Sequence, residues 1–145
     1  MEKHFKLTEE TIEWQGHTLH RIEATIDSCW ANAGELGGFV ESEHNLRGEA
    51  WVADEAKVWG SAYLLDRSLA CDNAQVFDKC ILMDMSRVGG NSRIHGYGTV
   101  VHNMANIYNG VVESSNDYIV FQGFHEGGPL TAYRDTNDMP SIILG

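Results

Sequence analysis

Residues 46–96 read LRGEAW VADEAK VWGSAY LLDRSL ACDNAQ VFDKCI LMDMSR VGGNSR IHG when they are set out in blocks of six. The first residue of every block is Val, Ile or Leu, except for Ala70, and the third residue is always Gly or Asp. The fifth residue is always Ala, Ser or Cys. Three columns kept through so many blocks do not arise by chance, so the chain contains an internal repeat with a period of six residues.

A period of six fits a short strand followed by a bend. Side chains alternate between the two sides of a strand, so the aliphatic residue and the small residue two positions before it point to the same side. Gly and Asp suit the tight turn that follows. Three such strands close a triangular coil of eighteen residues, and parallel pairing stacks successive coils about 4.8 Å apart.

The three columns predict which residues fill the interior and which form the bends. The aliphatic column comprises Leu46, Val52, Val58, Leu64, Ala70, Val76, Leu82, Val88, Ile94, Val100, Asn106 and Val112. The small column comprises His44, Ala50, Ala56, Ala62, Ser68, Ala74, Cys80, Ser86, Ser92, Gly98, Met104 and Gly110. The turn column comprises Gly48, Asp54, Gly60, Asp66, Asp72, Asp78, Asp84, Gly90 and Gly96. We therefore predict an all-β triangular prism of about four coils.

This pattern resembles the hexapeptide-repeat family of left-handed β-helices, although Gly or Asp here lies two residues after the aliphatic position instead of mostly one. A narrower resemblance is carried by LHRIEATID (19–27), by GELGGFVESEHNLRGEAWVADEAKVWGSAYL (34–64) and by NDYIVFQGF (116–124) with LTAYRDTND (130–138). These segments are similar to bacterial, phage and prophage proteins in which an N-terminal hairpin and an LGGFVES lead-in precede the repeats. The resemblance implies a single-stranded left-handed β-helix, and such proteins are often labelled transferases or polymer-forming proteins.

The length predicts one domain, residues 1–145, with a cap at each end of the prism. We expect an N-terminal antiparallel cap and a loop over 1–38, the β-helix over 39–112 and a C-terminal hairpin cap over 113–145. The expected N-terminal cap strands are Phe5–Leu7, Thr11–Trp14 and Thr18–Ala24, with residues 31–38 as the loop into the first coil. A strand at 118–121 and a hairpin of Leu130–Arg134 with Ser141–Leu144 are expected at the other end.

Composition narrows the range of partners. The formal net charge is -11, which disfavours direct binding to nucleic acid and leaves either plain solubility or an acidic surface for a basic partner. No apolar run is long enough for a membrane helix, and the charged N-terminus lacks a signal-peptide core. We therefore expect a cytoplasmic protein, in the host cytoplasm if it is phage-encoded. Cys29, Cys71 and Cys80 are expected to be free thiols.

Outward residues eighteen apart should stack, and one such face is apolar. The predicted interface comprises Tyr63, Leu65, Ile81, Met83, Thr99 and Val101. An apolar stripe facing water is disfavoured, so we expect self-association. The resemblance favours a trimer over a dimer, because related β-helices commonly pack three prisms side by side. The alternative is that a terminal segment of the same chain covers this face.

Two further columns are candidate sites. Trp59, Phe77 and His95 form an aromatic column, which is either a ligand platform or the rim of a subunit cleft, or instead more interface or cover for a cap. Asp66, Asp84 and His102 align at one corner. They suit metal binding or proton transfer, or they are ordinary turn aspartates bonded to their own loop backbone.

The sequence favours a non-catalytic oligomeric binding protein with no cofactor and no metal. It would counter a host process by sequestering a small ligand at subunit clefts or by blocking a host protein. The alternative is an acyltransferase-like enzyme that uses coenzyme A with His95 or His102 as base, as the resemblance suggests. The protruding loop that usually interrupts the repeats in such enzymes is missing here.

Overall fold

The computed structural model describes residues 3–101, 106–108, 111–114, 119–121, 124–126, 129–132 and 142–144. Short strands joined by tight turns dominate these ranges. The strands are β1 (Phe5–Trp14), β2 (His17–Ala24), β3 (Leu36–Val40), β4 (Trp51–Val52), β5 (Lys57–Val58), β6 (Tyr63–Leu64), β7 (Leu69–Ala70), β8 (Gln75–Val76), β9 (Lys79–Leu82), β10 (Arg87–Gly89), β11 (Arg93–Val101), β12 (Asn106–Tyr108), β13 (Val111–Ser114), β14 (Ile119–Phe121), β15 (Phe124–Glu126), β16 (Pro129–Ala132) and β17 (Ile142–Leu144). The described ranges contain one 3-10 helix, Glu43–Asn45. No helix in these ranges is long and apolar enough to span a membrane.

The strands stack as parallel ladders on three faces, so the chain forms a β-solenoid. Face A contains β3, β5, β8, the first part of β11, β13 and β16. Face B contains β6, β9, the last part of β11 and β14. Face C contains β4, β7, β10, β12 and β15. Most partners are eighteen residues apart, as in the pair Lys57 and Gln75. The predicted stacked coils are confirmed, and the left hand of the coil stays a prediction.

The interior is filled as the columns predict. Every aliphatic-column residue from Leu46 to Ile94 has at most 1% of its surface exposed. Every small-column residue from Ala50 to Ser92 is fully buried. The buried Ser68 hydroxyl donates to the Leu65 carbonyl at 2.8 Å, which satisfies a polar group that would otherwise be costly in the interior.

All nine residues of the turn column have positive φ, from 58° at Asp54 to 103° at Gly96. Gly adopts this conformation freely and Asp tolerates it better than most residues do, which explains the restriction of the column to these two types. The aspartates also link the coils. The Oδ2 of Asp72 accepts the Gly90 N–H at 2.8 Å, and the Oδ2 of Asp54 accepts the Asp72 N–H at 3.0 Å.

The same bond recurs at the other two corners. The Oδ2 of Asp66 accepts the Asp84 N–H at 2.9 Å, and that of Asp78 accepts the Gly96 N–H at 2.9 Å. Each of these carboxylates therefore bonds to the turn of the next coil. The interpretation that turn aspartates bond only to their own loop backbone is wrong for these four. We call this set of bonds the aspartate ladder.

The period of six slips by one residue within β11. Lys79 pairs with Tyr97, eighteen residues later, but Leu82 pairs with Val101, nineteen residues later. One extra residue therefore lies between these two pairs in β11, as in a β-bulge. Val101 is fully buried as a result, and it occupies the interior position that the period assigns to Val100.

The slip persists into the next face. Val88 pairs with Ile107, which is fully buried, whereas Asn106 is half-buried. The interior assignment of Asn106 is therefore wrong, and its polar side chain in an aliphatic column is explained. Ile94 pairs with Val112 at a spacing of eighteen, so the coil has regained its register by that point.

The N-terminal segment is a hairpin that extends face A. β1 and β2 pair antiparallel around a turn at Gln15 and Gly16, and β2 pairs antiparallel with β3. The expected break between Phe5–Leu7 and Thr11–Trp14 is wrong, because β1 continues through it with only a register irregularity. The strand β3 also begins at Leu36, inside the segment expected to be a loop.

Gly37 and Gly38 are required where β3 passes over the coil. A Cβ on Gly37 would lie 2.4 Å from the Val52 carbonyl oxygen, and one on Gly38 would lie 2.5 Å from the Ala56 carbonyl oxygen. No side chain fits against backbone at these distances. The lead-in to the coils therefore depends on this pair of glycines.

Parallel stacking continues past the predicted end of the β-helix at Val112. β14 pairs with β11, β15 with β12 and β16 with β13, all in parallel. The hexad pattern fades there while the coil persists, so the boundary at residue 112 is too early. β16 and β17 pair antiparallel where the sequence predicts a closing hairpin, and the role of that hairpin as a cap stays a prediction.

The aspartate ladder yields a graded stability prediction at Asp72. Asp72→Ala loses the acceptor for Gly90 N–H and strains a residue of positive φ, so it should lower the free energy of unfolding by about 2–3 kcal/mol. Asp72→Gly also loses the acceptor but introduces no backbone strain, so it should cost about 1–2 kcal/mol. Asp72→Asn keeps both features and should cost under about 1 kcal/mol. Equal losses in urea unfolding for all three variants would contradict the ladder.

Candidate functional site

The aromatic column of face A is a continuous stack. The ring centroids of Trp59 and Phe77 lie 4.5 Å apart at an interplanar angle of 4°. Those of Phe77 and His95 lie 4.7 Å apart at 6°. These separations match the spacing of paired strands, which is about 4.8 Å. The three rings therefore align as their eighteen-residue spacing predicts.

The N-terminal hairpin covers the lower end of this stack. Trp59 is only 5% exposed and clusters with Leu19 of β2 and Phe39 of β3. Ile12 and Trp14 of β1 pack against the same cluster. Trp59 therefore presents almost no surface to a ligand, which agrees with the alternative in which the column supports a cap.

A carboxylate clamp fixes the hairpin to the coil beside Trp59. One oxygen of Glu41 lies 2.8 Å from His17 Nδ1, and the other accepts the Gly60 N–H at 2.9 Å. Burial raises the pKa of Glu41, but the hydrogen bonds from His17 and Gly60 outweigh it, so the pKa lies below its usual value. The charged form of Glu41 therefore stabilises the docked hairpin.

The upper end of the stack is more open. Phe77 and His95 are both half-buried. The Nδ1 of His95 lies 3.6 Å from the Asp78 carboxylate, and the Arg93 guanidinium lies 5.5 Å from the centre of the Phe77 ring. An imidazole beside a carboxylate suits either a positioned base or a structural ion pair. The ligand-binding role of Phe77 and His95 stays a prediction.

Face B carries the predicted interface. Tyr63 and Ile81 are paired positions on β6 and β9, and both are half-buried. Leu65 and Met83 lie two residues further along and are also half-buried. We call these four residues the face B patch.

The two remaining interface residues lie differently. The outward placement of Val101 is wrong, because the slip in β11 turns this side chain into the interior. The side chain of Thr99 lies outside the described residues, and its backbone pairs with Ile119 of β14.

Asp66 and Asp84 of the predicted corner column are bonded to each other in the aspartate ladder. Asp66 accepts the Asp84 N–H, and His102 lies outside the described residues. Within the described ranges, no three His, Cys, Asp or Glu side chains are grouped closely enough to hold a metal ion. A metal or proton-transfer role for this column stays a prediction.

Sequence reasoning missed a cleft where the N-terminus meets the first coil. The cleft has a volume of about 690 Å³ and is lined by Lys3, His4, Ile26, Glu43, His44, Leu46, Arg47 and Gly48. One sequence signal pointed to it, since His44 is out of place in the small column. Asn45 takes the buried position instead and donates to the Ala62 carbonyl at 2.8 Å, which leaves His44 exposed. We call this feature the N-terminal cleft.

No protein-family model and no curated protein matches the chain.

The carboxylate clamp predicts a pH-dependent loss of stability. Because the folded-state pKa of Glu41 is lowered, its stabilisation is present above the unfolded-state value of about 4.3 and is lost as pH falls through the folded value. Glu41→Gln should cost about 1 kcal/mol at neutral pH, and this difference from wild type should vanish in acid. Urea unfolding at several pH values measures it.

Glu9→Gln is the matched control, because Glu9 is an exposed carboxylate on β1. It should change the free energy of unfolding little at any pH. A Glu41→Gln difference that is the same at neutral and acid pH would contradict the clamp.

Proposed function

We propose that the chain is a non-catalytic binding protein of the phage and prophage type that self-associates through face B. A trimer is favoured over a dimer, by analogy with the resembled β-helices. Cytoplasmic action and interference with a host process belong to the same proposal. The observation that carries it is that the N-terminal segment buries the first coils of faces A and C, whereas the outward residues of face B stay half-buried.

The N-terminal segment covers the first coils of faces A and C. On face A, the hairpin buries Trp59 as described above. On face C, the outward residues Trp51 and Leu69 are only 1% and 6% exposed. His4 lies beside Trp51 with ring centroids 6.3 Å apart, and the indole N–H of Trp30 donates to the Arg67 carbonyl at 2.9 Å. Residues of the N-terminal segment therefore cover the first two coils of this face, and Arg87 of the next coil is exposed.

Within the described ranges the face B patch is covered only in part: the His44 ring lies 5.6 Å and the Arg47 guanidinium 5.3 Å from the centre of the Tyr63 ring. The strands β6 and β9 make their main contacts with each other, with β11 and with the 3-10 helix. The four side chains of the patch carry no formal charge, although the chain as a whole has a net charge of -11. A second copy of the same face is the partner that buries this patch without placing an acidic side chain against it.

The net acidity supports the second half of the proposal. The negative charge disfavours contact between copies anywhere except at the uncharged patch. The same charge attracts a basic partner over a long range. Burial of Trp59 removes the largest ring from the ligand platform. The net charge therefore supports blocking of a basic host protein better than the largely covered face A supports sequestration of a small ligand.

Self-association is tested by the mass of the protein in solution. Wild type should sediment as a trimer or dimer at micromolar concentration, and Ile81→Glu should sediment as a monomer. A carboxylate buried without a partner in the interface costs about 3 kcal/mol or more, which weakens association by over a hundredfold. Gln75→Glu is the control, because it adds the same charge at a half-buried outward position on face A.

A monomeric wild type would overturn the assembly. If Ile81→Glu also unfolds while wild type is monomeric, a segment of the same chain covers face B instead. An oligomer that survives Ile81→Glu and Leu65→Glu would place the interface elsewhere.

One observation favours the acyltransferase-like enzyme as a second candidate. Asp78 lies where it can orient His95 as a base. Stacking on Phe77 leaves the His95 side chain only 16% exposed, which restricts access to its second nitrogen.

Thermal unfolding in the presence of coenzyme A separates the two candidates. We expect the midpoint to stay unchanged at millimolar coenzyme A, because a ligand raises it only by binding the folded state. A raised midpoint that is lost in His95→Ala but kept in Gln75→Ala would favour the enzyme.

A further inference from the structure

The N-terminal cleft concentrates positive charge in an acidic protein. Lys3 and Arg47 line it together with the imidazoles of His4 and His44, and Glu43 is the lone carboxylate among its described lining residues. The chain has 10 basic against 21 acidic residues. A cleft in which cations outnumber carboxylates therefore runs against the overall composition and favours an anionic ligand.

Arg47 differs from Arg21 and Arg67 in its surroundings, and like Arg93 it has no carboxylate partner among the described residues. Arg21 bonds to Glu10 at 2.9 Å, and Arg67 bonds to Glu49 at 3.2 Å. No carboxylate of the described residues lies within ion-pair distance of Arg47, whose guanidinium lies 5.3 Å from the centre of the Tyr63 ring. The planar fork of Arg47 is thus available for an anion, and guanidinium recognises phosphate in two-point geometry.

Lys3 has only a weak ion-pair partner. Its Nζ lies 4.0 Å from Glu43, and both side chains are about half exposed. Such an exposed pair contributes little, so an incoming anion competes with Glu43 at small cost. Lys3 supplies the second cation of the site, from a segment that is distant in sequence from Arg47.

The rest of the cleft is suited to an apolar group. Ile26 is 39% exposed and lies in the lining together with the buried Leu46. The volume of about 690 Å³ far exceeds that of a bare phosphate and lies in the usual range for small organic ligands. A ligand with a charged head and a small apolar body matches both parts of the lining.

We propose that the N-terminal cleft binds a small phosphate monoester with an apolar body, its phosphate held by Arg47 and Lys3 and its body packed on Ile26. The site lies on the first coil and its N-terminal cover, so it does not depend on the function proposed above. It is separate from the aromatic column.

The test is an NMR titration of the full chain with phenyl phosphate at low salt, with inorganic phosphate and phenol as comparison probes. Phenyl phosphate should shift the amide signals of Ile26, Arg47 and Gly48 and bind more tightly than either comparison probe. Arg47→Gln should weaken binding about tenfold, the loss of one charge-assisted hydrogen bond. Lys3→Gln should weaken it less, and this exposed residue can be replaced without unfolding the chain.

Two variants sharpen the test. Glu43→Gln should tighten binding several-fold, because it removes the carboxylate that competes for Lys3. Arg93→Gln, which removes the same charge from face A, should leave binding unchanged. Shifts elsewhere on the prism, equal weakening by Arg93→Gln, or binding of phenol as tight as that of phenyl phosphate would each overturn the site. Equal binding of inorganic phosphate would overturn the apolar half of the proposal.

Discussion

Parallel pairing between residues eighteen apart is the constraint on which the rest of the structure depends. It places each aliphatic side chain directly over its counterpart in the previous coil, as Val58 lies beside Val76. It brings each turn over the turn below, so that the Asp72 carboxylate reaches the Gly90 N–H. The same register stacks outward side chains into columns, and every candidate surface of the molecule is one of these columns or a cover over them.

Most of the coil could be predicted from the sequence, because each hexad repeats the same local requirements. The slip in β11 could not, since Val100 and Val101 are both valines and the pattern cannot tell which of them points inward. Only the polar Asn106 followed by Ile107 signalled the change of register. The burial of Trp59 by the hairpin could not be predicted either, because the face on which a hairpin packs leaves no periodic pattern in the sequence.

The cleft was missed for a related reason. Its walls come from residues 3–4 and 26, which belong to no repeat, and from residues 43–44 and 46–48 at the start of the first coil. Local patterns report what recurs, while sites arise where non-repeating segments meet the regular scaffold. In this chain the N-terminal segment covers the first coils of two faces and forms part of the cleft. Among the described residues it leaves the face B patch, the upper end of the aromatic column and the cationic cleft accessible.

Nuclear Overhauser contacts of the Phe77 ring test the central register most directly. With coils of eighteen residues, its protons should contact the rings of both Trp59 and His95, whose centroids lie 4.5 and 4.7 Å away. Contacts of Phe77 to Cys71 and Met83, six residues away on either side, in place of those two rings would contradict the stacked prism.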